Sequence, residues 1–539
     1  MKSFIKYIVP SAALFLGLGM TSCSSDLDID PIDPNLTTGD KISSDALLNK
    51  CYANFAVAGN GGANGDCDID GLDGGTTGFI RQLFNSNELT TDEAICAWGD
   101  DGIENFNTSM PDASHPMLAG LYNRLYVGIT YCNQYLQDYA DVDKQKTAEC
   151  RFLRAFQFYL LMDGWGNVPF PTAISSDAPQ QIKRADLFAW IESELKEIEP
   201  DLAEAKPEKE GEAGYGRVDK AAAWMLLARL YINAQVYTGE AKWGEAKAYA
   251  KKVIDSPYKL YTTAKGGWSA YQQLFMGDNG TNGASQECLF ALLQDGERTT
   301  AWGCTLFLMA GNTNLTEIVH PDGQTLGMNT SEKWSGNRMC KELVEKFFPN
   351  DDAPVAHACD MPAAAGDDRA IFESVDRTLT NDHQKVFTEG FSVCKFNNWY
   401  TSGTAKNNQF PDTDFFLMRA AEAYLIFAEA DAREHGNTTS QEGTNAINQI
   451  RSRANATPKA AYSLDDICDE WSREFYFEGL RRPTLVRFNK YGGNVNYNWS
   501  WKGGVLAGRN IDAHFNIFAI PTTDMTANQN LVQNPGYAN

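Results

Sequence analysis

Two segments of the chain repeat one spacing of aromatic, small and proline residues, and this spacing constrains the fold more than any other feature. The first segment is defined by Trp224, Leu227, Ala228, Tyr231, Ala246, Ala250 and Pro257, and the second by Tyr424, Phe427, Ala428, Ala446, Ile450 and Pro458. This order is typical of a tetratricopeptide repeat, a helix pair of about 34 residues. The alternative is two amphipathic helical hairpins without a common origin. Both interpretations predict stacked helix pairs, in which small residues let the helices approach closely.

Helical periodicity extends beyond these segments, and long glycine-rich stretches separate the helical parts. Apolar residues recur at helical spacing in 118–139, 148–161 and 465–480. The stretches rich in glycine and polar residues are 59–78, 277–283, 311–335 and 350–413. Loops of such length inside a compact domain are usually functional or disordered, and disordered segments tend to lack tryptophan, which two of these contain. We therefore predict a mostly α fold, a tetratricopeptide-like scaffold of helical hairpins with a long, loop-rich ligand-binding face.

The first residues have the pattern of an export signal. Lys2 and Lys6 precede a short apolar stretch, 12–19, and small residues lead from there to Cys23. The stretch is too short to span a bilayer, which needs about 20 apolar residues, and the pattern is typical of a secretory signal. A cleavage site closed by cysteine resembles a bacterial lipoprotein signal, in which that cysteine becomes lipidated. The alternative is an ordinary secretory signal with an incidental cysteine.

These patterns divide the chain into four predicted regions. Residues 1–22 are a lipoprotein signal peptide, and residues 23–40, acidic and interrupted by prolines, are an extended tether. Residues 41–270 form an N-terminal helical region and residues 271–539 a C-terminal region. Lipidation of Cys23 would anchor the protein to a membrane, because each buried CH2 of an acyl chain contributes about 0.8 kcal/mol.

The composition makes one class of partner improbable and leaves the cysteines unassigned. The formal net charge is −24, and so acidic a surface repels phosphate backbones, so we expect no nucleic-acid partner. Eleven cysteines follow Cys23, and none of them stands in a C-x-x-C motif or at zinc-finger spacing with histidine. We predict that most of them are buried thiols that pack as small apolar side chains. The sequence does not decide whether one or two disulfides form.

No motif of a known catalytic site occurs in the sequence. H-E-x-x-H, G-x-S-x-G and a phosphate-binding glycine loop are all absent. Carboxylates are abundant, and counting them does not decide whether two of them form a glycosidase pair. The sequence therefore favours a binding protein that is not an enzyme. The alternatives are a surface glycoside hydrolase and an adaptor that binds peptides through its helix pairs.

One stretch combines tryptophan with planar polar side chains, a combination that sugar-binding sites use. It runs from Asp66 through Arg81 to Trp98 and Asp101. The C–H faces of a pyranose ring pack on an indole, and its hydroxyls form hydrogen bonds with carboxylate, amide and guanidinium groups. The alternatives are a calcium loop or a solvated turn for 66–73, and core packing for Trp98.

The order of several motifs resembles the SusD/RagB family of outer-membrane nutrient-binding lipoproteins. Besides Cys23 and its acidic tether, these motifs are 151–155, 216–222, 415–429, 450–454, 474–479, 520–521 and 528–537. They are spread over nearly the whole chain after the signal. The resemblance implies a helical, tetratricopeptide-like scaffold that carries a ligand face built from loops. It also implies a partner, a SusC-like TonB-dependent outer-membrane transporter, on which the protein sits as a lid.

The resemblance is strongest to a starch-binding member of the family, which holds α-glucan on an arc of aromatic rings. It implies non-catalytic binding of starch or another α-glucan (maltooligosaccharides) on the outward-facing cell surface. By motif alignment, Trp98, Trp302 and Trp334 correspond to the rings of that arc. Asp73 and Arg81 correspond to polar ligands beside them. Asp101 stands where that member has asparagine and is a further candidate ligand.

Two departures from that member leave the sugar preference and a metal site open. Cys96 replaces an aromatic residue next to the arc, and Asp101 replaces an asparagine; the loop 311–335 also differs in length and content. An α-1,6-glucan is therefore an alternative ligand. The resemblance also suggests a structural calcium ion. Asp278, Asn279 and Asn282 offer oxygen ligands for it from a shortened loop.

Overall fold

The computed structural model describes residues 42–65, 67–314 and 327–538. Cys23, the predicted signal peptide and the predicted tether lie outside the described residues, so these assignments stay predictions. The described residues from Leu48 onwards form one compact unit. Within the described part of the chain, no helix is both long enough and apolar enough to cross a membrane.

The chain folds mainly into α-helices, which confirms the predicted fold class. In chain order they are α1 Ser44–Ala56, α2 Phe79–Asn87, α3 Ile103–Asn107, α4 Pro116–Tyr139, α5 Lys144–Trp165, α6 Arg184–Ile198, α7 Lys220–Ile232, α8 Ala234–Thr238, α9 Trp243–Asp255, α10 Thr305–Ala310, α11 Lys341–Val344, α12 Met361–Ala365, α13 Ala420–Glu434, α14 Gln441–Arg453, α15 Leu464–Phe475, α16 Arg481–Arg487 and α17 Thr522–Ala527. Side chains fix where the long helices begin. His115 Nδ1 accepts a backbone N–H of the first turn of α4 at 3.2 Å, and Asp143 does the same for α5 at 3.1 Å.

The strands are short and pair two by two in antiparallel ladders. They are β1 Ala94–Cys96, β2 Val168–Pro169, β3 Gln181–Ile182, β4 Cys288–Leu292, β5 Asn337–Met339, β6 Phe372–Glu373, β7 Ser392–Val393 and β8 Phe415–Arg419. The pairs are β1 with β5, β2 with β3, β4 with β8 and β6 with β7. The β1–β5 and β4–β8 ladders join segments that are distant in sequence, and the β1–β5 ladder positions the candidate site.

Helices α7 and α9 form one helix pair and α13 and α14 form another, at the two segments that the residue spacing predicted. Helix α13 also packs against α9 and α7, so the two pairs stack on each other. Buried alanines line these helices: Ala221, Ala222, Ala223 and Ala228 on α7, Ala246 and Ala250 on α9, and Ala421, Ala423, Ala428 and Ala430 on α13. Because α9 precedes residue 270 and α13 follows it, both predicted halves contribute to one core, and a boundary there stays a prediction.

A cluster of buried ion pairs connects α13, α14 and α15. Arg419, which precedes α13, contacts Glu474 at 2.6 Å and Glu287 at 3.1 Å, and Arg453 contacts Glu287 at 3.0 Å. Arg369 reaches Glu474 at 3.3 Å, and all five side chains are fully buried. Burial alone would raise the pKa of Glu474, but Arg453, Arg419 and Arg369 together lower it to about 2. Each of these five buried charges therefore has an oppositely charged partner within the scaffold.

Candidate functional site

The β1–β5 ladder places two of the predicted tryptophans side by side. One hydrogen bond extends the ladder beyond its strands, from the Ala97 N–H to the Gly336 carbonyl at 2.9 Å. Trp98 is the next residue on one side, and Trp334 lies two residues before Gly336 on the other. Two rings that are far apart in sequence therefore lie next to each other.

Trp98, Trp334 and Trp302 form one row, which is called the arc here. The ring centroids of Trp98 and Trp334 lie 6.5 Å apart with their planes at 51°, and those of Trp334 and Trp302 lie 6.1 Å apart at 45°. All three residues are partly exposed. The structure thus brings the three predicted rings together. Because neighbouring rings are tilted by about half a right angle, the row is not flat.

Each indole N–H of the arc is hydrogen bonded inside the protein. Trp98 Nε1 donates to the Trp334 carbonyl at 2.8 Å, and Trp334 Nε1 donates to Glu332 at 2.9 Å. Trp302 Nε1 donates to Asn64 Oδ1 at 3.2 Å. These bonds fix the ring orientations and leave the ring faces as the part available to a ligand.

Trp98 is supported from below by packed side chains and by a close backbone. Its ring meets Phe307 edge to face at a centroid distance of 6.0 Å, and the Arg81 guanidinium lies 5.1 Å from its centroid. A Cβ added to Gly336 would come within 2.3 Å of the Trp98 ring, so only glycine fits beneath it. Trp98 therefore packs against the protein core on one side of its ring, as the core-packing alternative predicted, but the residue is still partly exposed.

Arg81 and Asp73 supply opposite charges beside the arc. Arg81 is only 9% exposed, and within the described residues its guanidinium donates no hydrogen bond. Burial lowers the pKa of Arg81, while the charges of Asp73 and Asp100 oppose that shift. Burial would raise the pKa of Asp73, but two hydrogen bonds from Thr76 and the charge of Arg81 lower it. Both groups are therefore ionised at neutral pH, and Arg81 retains donors for a ligand hydroxyl.

A cleft of about 420 Å³ opens over these groups. It is lined by Asp73, Gly75, Arg81, Trp98, Asp100, Trp302 and Trp334. Five of the six predicted ligands are among these residues. Asp101 is exposed and does not line the cleft, and the neighbouring Asp100 takes that place. Residue spacing alone does not distinguish two adjacent aspartates in a turn.

A larger cleft, of about 1200 Å³, lies elsewhere, between the loop 259–272 and α14. None of the predicted ligands lines it. Volume alone does not identify a sugar site, because recognition needs ring faces and polar groups that converge. We therefore assign the candidate site to the smaller cleft, where three ring faces meet a carboxylate and a guanidinium.

The side-chain oxygens predicted to bind calcium already accept hydrogen bonds from other parts of the chain or from their own loop. Asp278 Oδ2 accepts the Thr401 N–H at 2.9 Å and the Thr401 hydroxyl at 2.6 Å. Asn279 Oδ1 accepts the Asp414 N–H at 3.2 Å, and Asn282 Oδ1 accepts a backbone N–H at 2.8 Å. Donors that point at these oxygens oppose a cation at the same position. As folded, these side-chain oxygens do not fit a calcium ion.

Comparison with known proteins places the chain among relatives along almost its full length. Residues 359–537 match the family described as the SusD family, and residues 28–232 match the family described as "Starch-binding associating with outer membrane". The chain is 37% identical over 574 residues to the starch-binding protein SusD of Bacteroides thetaiotaomicron, covering 99% of each chain.

Solved structures share the fold at lower identity. The surface glycan-binding protein A of Bacteroides uniformis superposes with a TM-score of 0.65 at 21% identity, covering 91% of this chain and 98% of that one. A laminarin-binding SusD-like protein gives a TM-score of 0.65 at 19% identity, covering 92% and 99%. With its helix pairs, its arc and a relative that is similar from end to end, the chain belongs to the SusD family.

Proposed function

We propose that the protein binds starch or a related α-glucan on the cell surface, without chemical change, and passes it to a SusC-like TonB-dependent transporter. The arc carries this proposal, because its three tilted rings offer a bent platform. A bent platform suits the curved helix of an α-1,4-glucan, whereas a flat row would suit the ribbon of a β-1,4-glucan. The full-length similarity to a starch-binding protein supports the same class of ligand.

The expected affinity is modest. Each ring contributes about 0.5–1.5 kcal/mol and each hydrogen bond to a hydroxyl about 1 kcal/mol, while association costs about 4 kcal/mol or more. The dissociation constant for a short oligosaccharide should therefore be about 1 μM to 1 mM. This is sufficient at a membrane, since a polymer presents many repeats and neighbouring proteins raise its effective concentration.

Asp73, the carboxylate beside the arc, is suited to binding rather than to the acid role in hydrolysis. A glycosidase needs one carboxyl group that stays protonated to act as the general acid. The lowered pKa of Asp73 keeps that carboxyl ionised at neutral pH. The second candidate function is a surface glycoside hydrolase, and a reducing-end assay on amylopectin separates the two. We expect no product above the buffer control, and steady release of reducing ends would establish an enzyme.

The ligand is tested by polysaccharide gel retardation with starch, pullulan and dextran. Wild type should be retarded by starch, and the variant Trp98→Ala/Trp302→Ala/Trp334→Ala should migrate freely. Trp224→Ala is the matched control, because Trp224 is also partly exposed and also donates its indole N–H to one glutamate, at 2.7 Å, but lies on α7. Equal retardation of wild type and the triple variant would remove the arc from the proposal. Stronger retardation by dextran would change the ligand to an α-1,6-glucan.

Cell-surface anchoring is assigned to Cys23. The description of one matching family names the outer membrane, and a lipidated cysteine followed by an acidic tether would hold the protein there. The Cys23→Ala variant should move from the membrane fraction to the soluble fraction, while Cys67→Ala should stay with the membrane. Retention of Cys23→Ala in washed membranes would contradict lipid anchoring.

A further inference from the structure

Three cysteines from three different helices meet in the core. Cys51 lies on α1, Cys132 on α4 and Cys150 on α5, and none of the three is exposed. All three Sγ atoms lie within 4.8 Å of one another. Across the described residues, no other group of three or more histidine, cysteine, aspartate or glutamate side chains converges in this way. The residues are far apart in sequence, so motif spacing could not reveal this cluster.

The sulfur positions suit a metal ion. Thiolate ligands bind Zn²⁺ at about 2.3 Å, which separates neighbouring sulfurs by about 4 Å. The observed limit of 4.8 Å accommodates that separation with small side-chain rotations. The three thiols are free in the structure. Because each sulfur is carried by a packed helix, the folded chain holds the three ligands close together.

A polar side chain supports the cluster from the second layer. Gln157 Nε2 lies 3.7 Å from Cys132 Sγ as a donor, and Gln157 Oε1 accepts Asn54 Nδ2 at 3.1 Å. A Cβ on Gly128 would come within 1.7 Å of Gln157 Oε1, so this glycine leaves room for the amide. Amide donors to ligand sulfur are typical of metal–thiolate sites, where they orient the ligand. The same Nε2 also donates to the Leu153 carbonyl at 3.2 Å, one turn earlier on α5.

The charge of such a site is partly compensated. Three thiolates and one divalent cation leave one negative charge. Arg154 follows Cys150 by one turn of α5 and is itself buried, so a positive charge lies near the cluster, although Arg154 also pairs with Glu194 at 3.2 Å. All three thiols are buried, so a metal that binds them has to displace their protons.

We propose that Cys51, Cys132 and Cys150 bind one soft metal ion of the zinc type and thereby tie α1 to the α4–α5 pair. Three S–H bonds lose their protons to solvent and three metal–sulfur bonds form, with no change of oxidation state. The cluster has no exposed atom from the three side chains, so the ion enters while the chain folds. This site is independent of glycan binding at the arc.

The probe is Cd²⁺, which gives an ultraviolet charge-transfer band with thiolates. The full chain is unfolded and refolded with a reductant, with and without Cd²⁺, and passed through a desalting column. We expect one Cd²⁺ per chain by elemental analysis, the thiolate band, and a higher unfolding temperature. Cys51→Ser, Cys132→Ser and Cys150→Ser should each retain less than about a tenth of that metal, because a site with two sulfurs binds far more weakly. Cys304→Ser, a buried cysteine outside the cluster, should retain it all.

Two results would overturn the proposal. One is a wild-type chain that refolds normally and carries no Cd²⁺. The other is a mass two hydrogens lower in freshly isolated protein, with a disulfide between two of the three cysteines. If the serine variants do not fold, X-ray absorption at the cadmium edge of the wild type decides. Three sulfur neighbours support the site, and oxygen or nitrogen neighbours alone contradict it.

Discussion

The helical scaffold and the arc are held together by different kinds of contact. In the scaffold, Arg419, Glu474 and Glu287 are fully buried, and each charge has an opposite charge within 3.1 Å. In the arc, each ring is held by one indole hydrogen bond and by contacts with its neighbours, and each stays partly exposed. Removing a scaffold charge leaves an unpaired ion in the core, whereas removing a ring leaves a surface that water can fill. Stability and binding should therefore be separable by mutation.

The largest expected effect is on stability, from Glu474→Gln. The substitution leaves three buried guanidinium groups without their shared anion, so the free energy of unfolding should fall by about 3–5 kcal/mol. Urea denaturation measures this. Glu442→Gln on the exposed side of α14 is the control and should change stability by less than about 0.5 kcal/mol. Equal stability of the two variants would mean that the buried cluster does not hold the scaffold.

The same carboxylate predicts how the scaffold responds to acid. The pKa of Glu474 is about 2 in the folded chain and about 4.3 in the unfolded chain, so its contribution is complete above pH 4.3 and is lost as the pH falls towards 2. The loss should reach about 3 kcal/mol. Urea midpoints measured from pH 7 to pH 3 should fall below about pH 4.5 in wild type. They should fall less steeply in Glu474→Gln, and parallel curves would contradict the assignment.

A smaller effect, confined to binding, is expected from Trp334→Ala. Trp334 is the middle ring and touches both of the others, so its loss interrupts the platform. Affinity for a maltooligosaccharide should fall about 10-fold by isothermal titration, which corresponds to about 1.4 kcal/mol. Thermal unfolding should be nearly unchanged, because the ring is partly exposed. Full affinity, or a large loss of stability, would erase the distinction between arc and scaffold.

The smallest effect is expected from Asp73→Asn. An amide keeps one acceptor oxygen for a sugar hydroxyl and for Thr76, but loses the negative charge that opposes Arg81. Affinity should fall by no more than about 5-fold, or about 1 kcal/mol, and the order of preference among starch, pullulan and dextran should stay the same. A reversed order would show that Asp73 selects the sugar rather than adding affinity.

The sequence predicted the scaffold well because its determinants are local. Aromatic and alanine spacing located α7, α9, α13 and α14, and apolar periodicity located α4 and α5. The helix predicted over 465–480 was wrong at its end, since α15 stops at Phe475. Phe477 adopts a φ of 65°, and the buried Lys395 Nζ donates to the Tyr476 carbonyl at 2.8 Å. Such long-range contacts override a helical pattern, and the spacing of residues along the sequence does not predict them.

The site could be predicted only in part. The three rings came from the resemblance to a family, because nothing in the spacing of residues 98, 302 and 334 brings them together. The supporting contacts were missed, since Phe307, Glu332 and Asn64 reach the rings through the fold. The thiol cluster was missed for the same reason: convergence in space between helices has no signature along the chain.

The lack of a side chain at Gly336 has a practical consequence for anyone who tries to change which sugar this protein binds. Even alanine at this position would collide with the first ring, at 2.3 Å. A mutant library that randomises the ligand-facing loops should therefore keep position 336 constant. Otherwise many clones would lose binding because an indole has been pushed aside, and screening would mistake that damage for a new specificity.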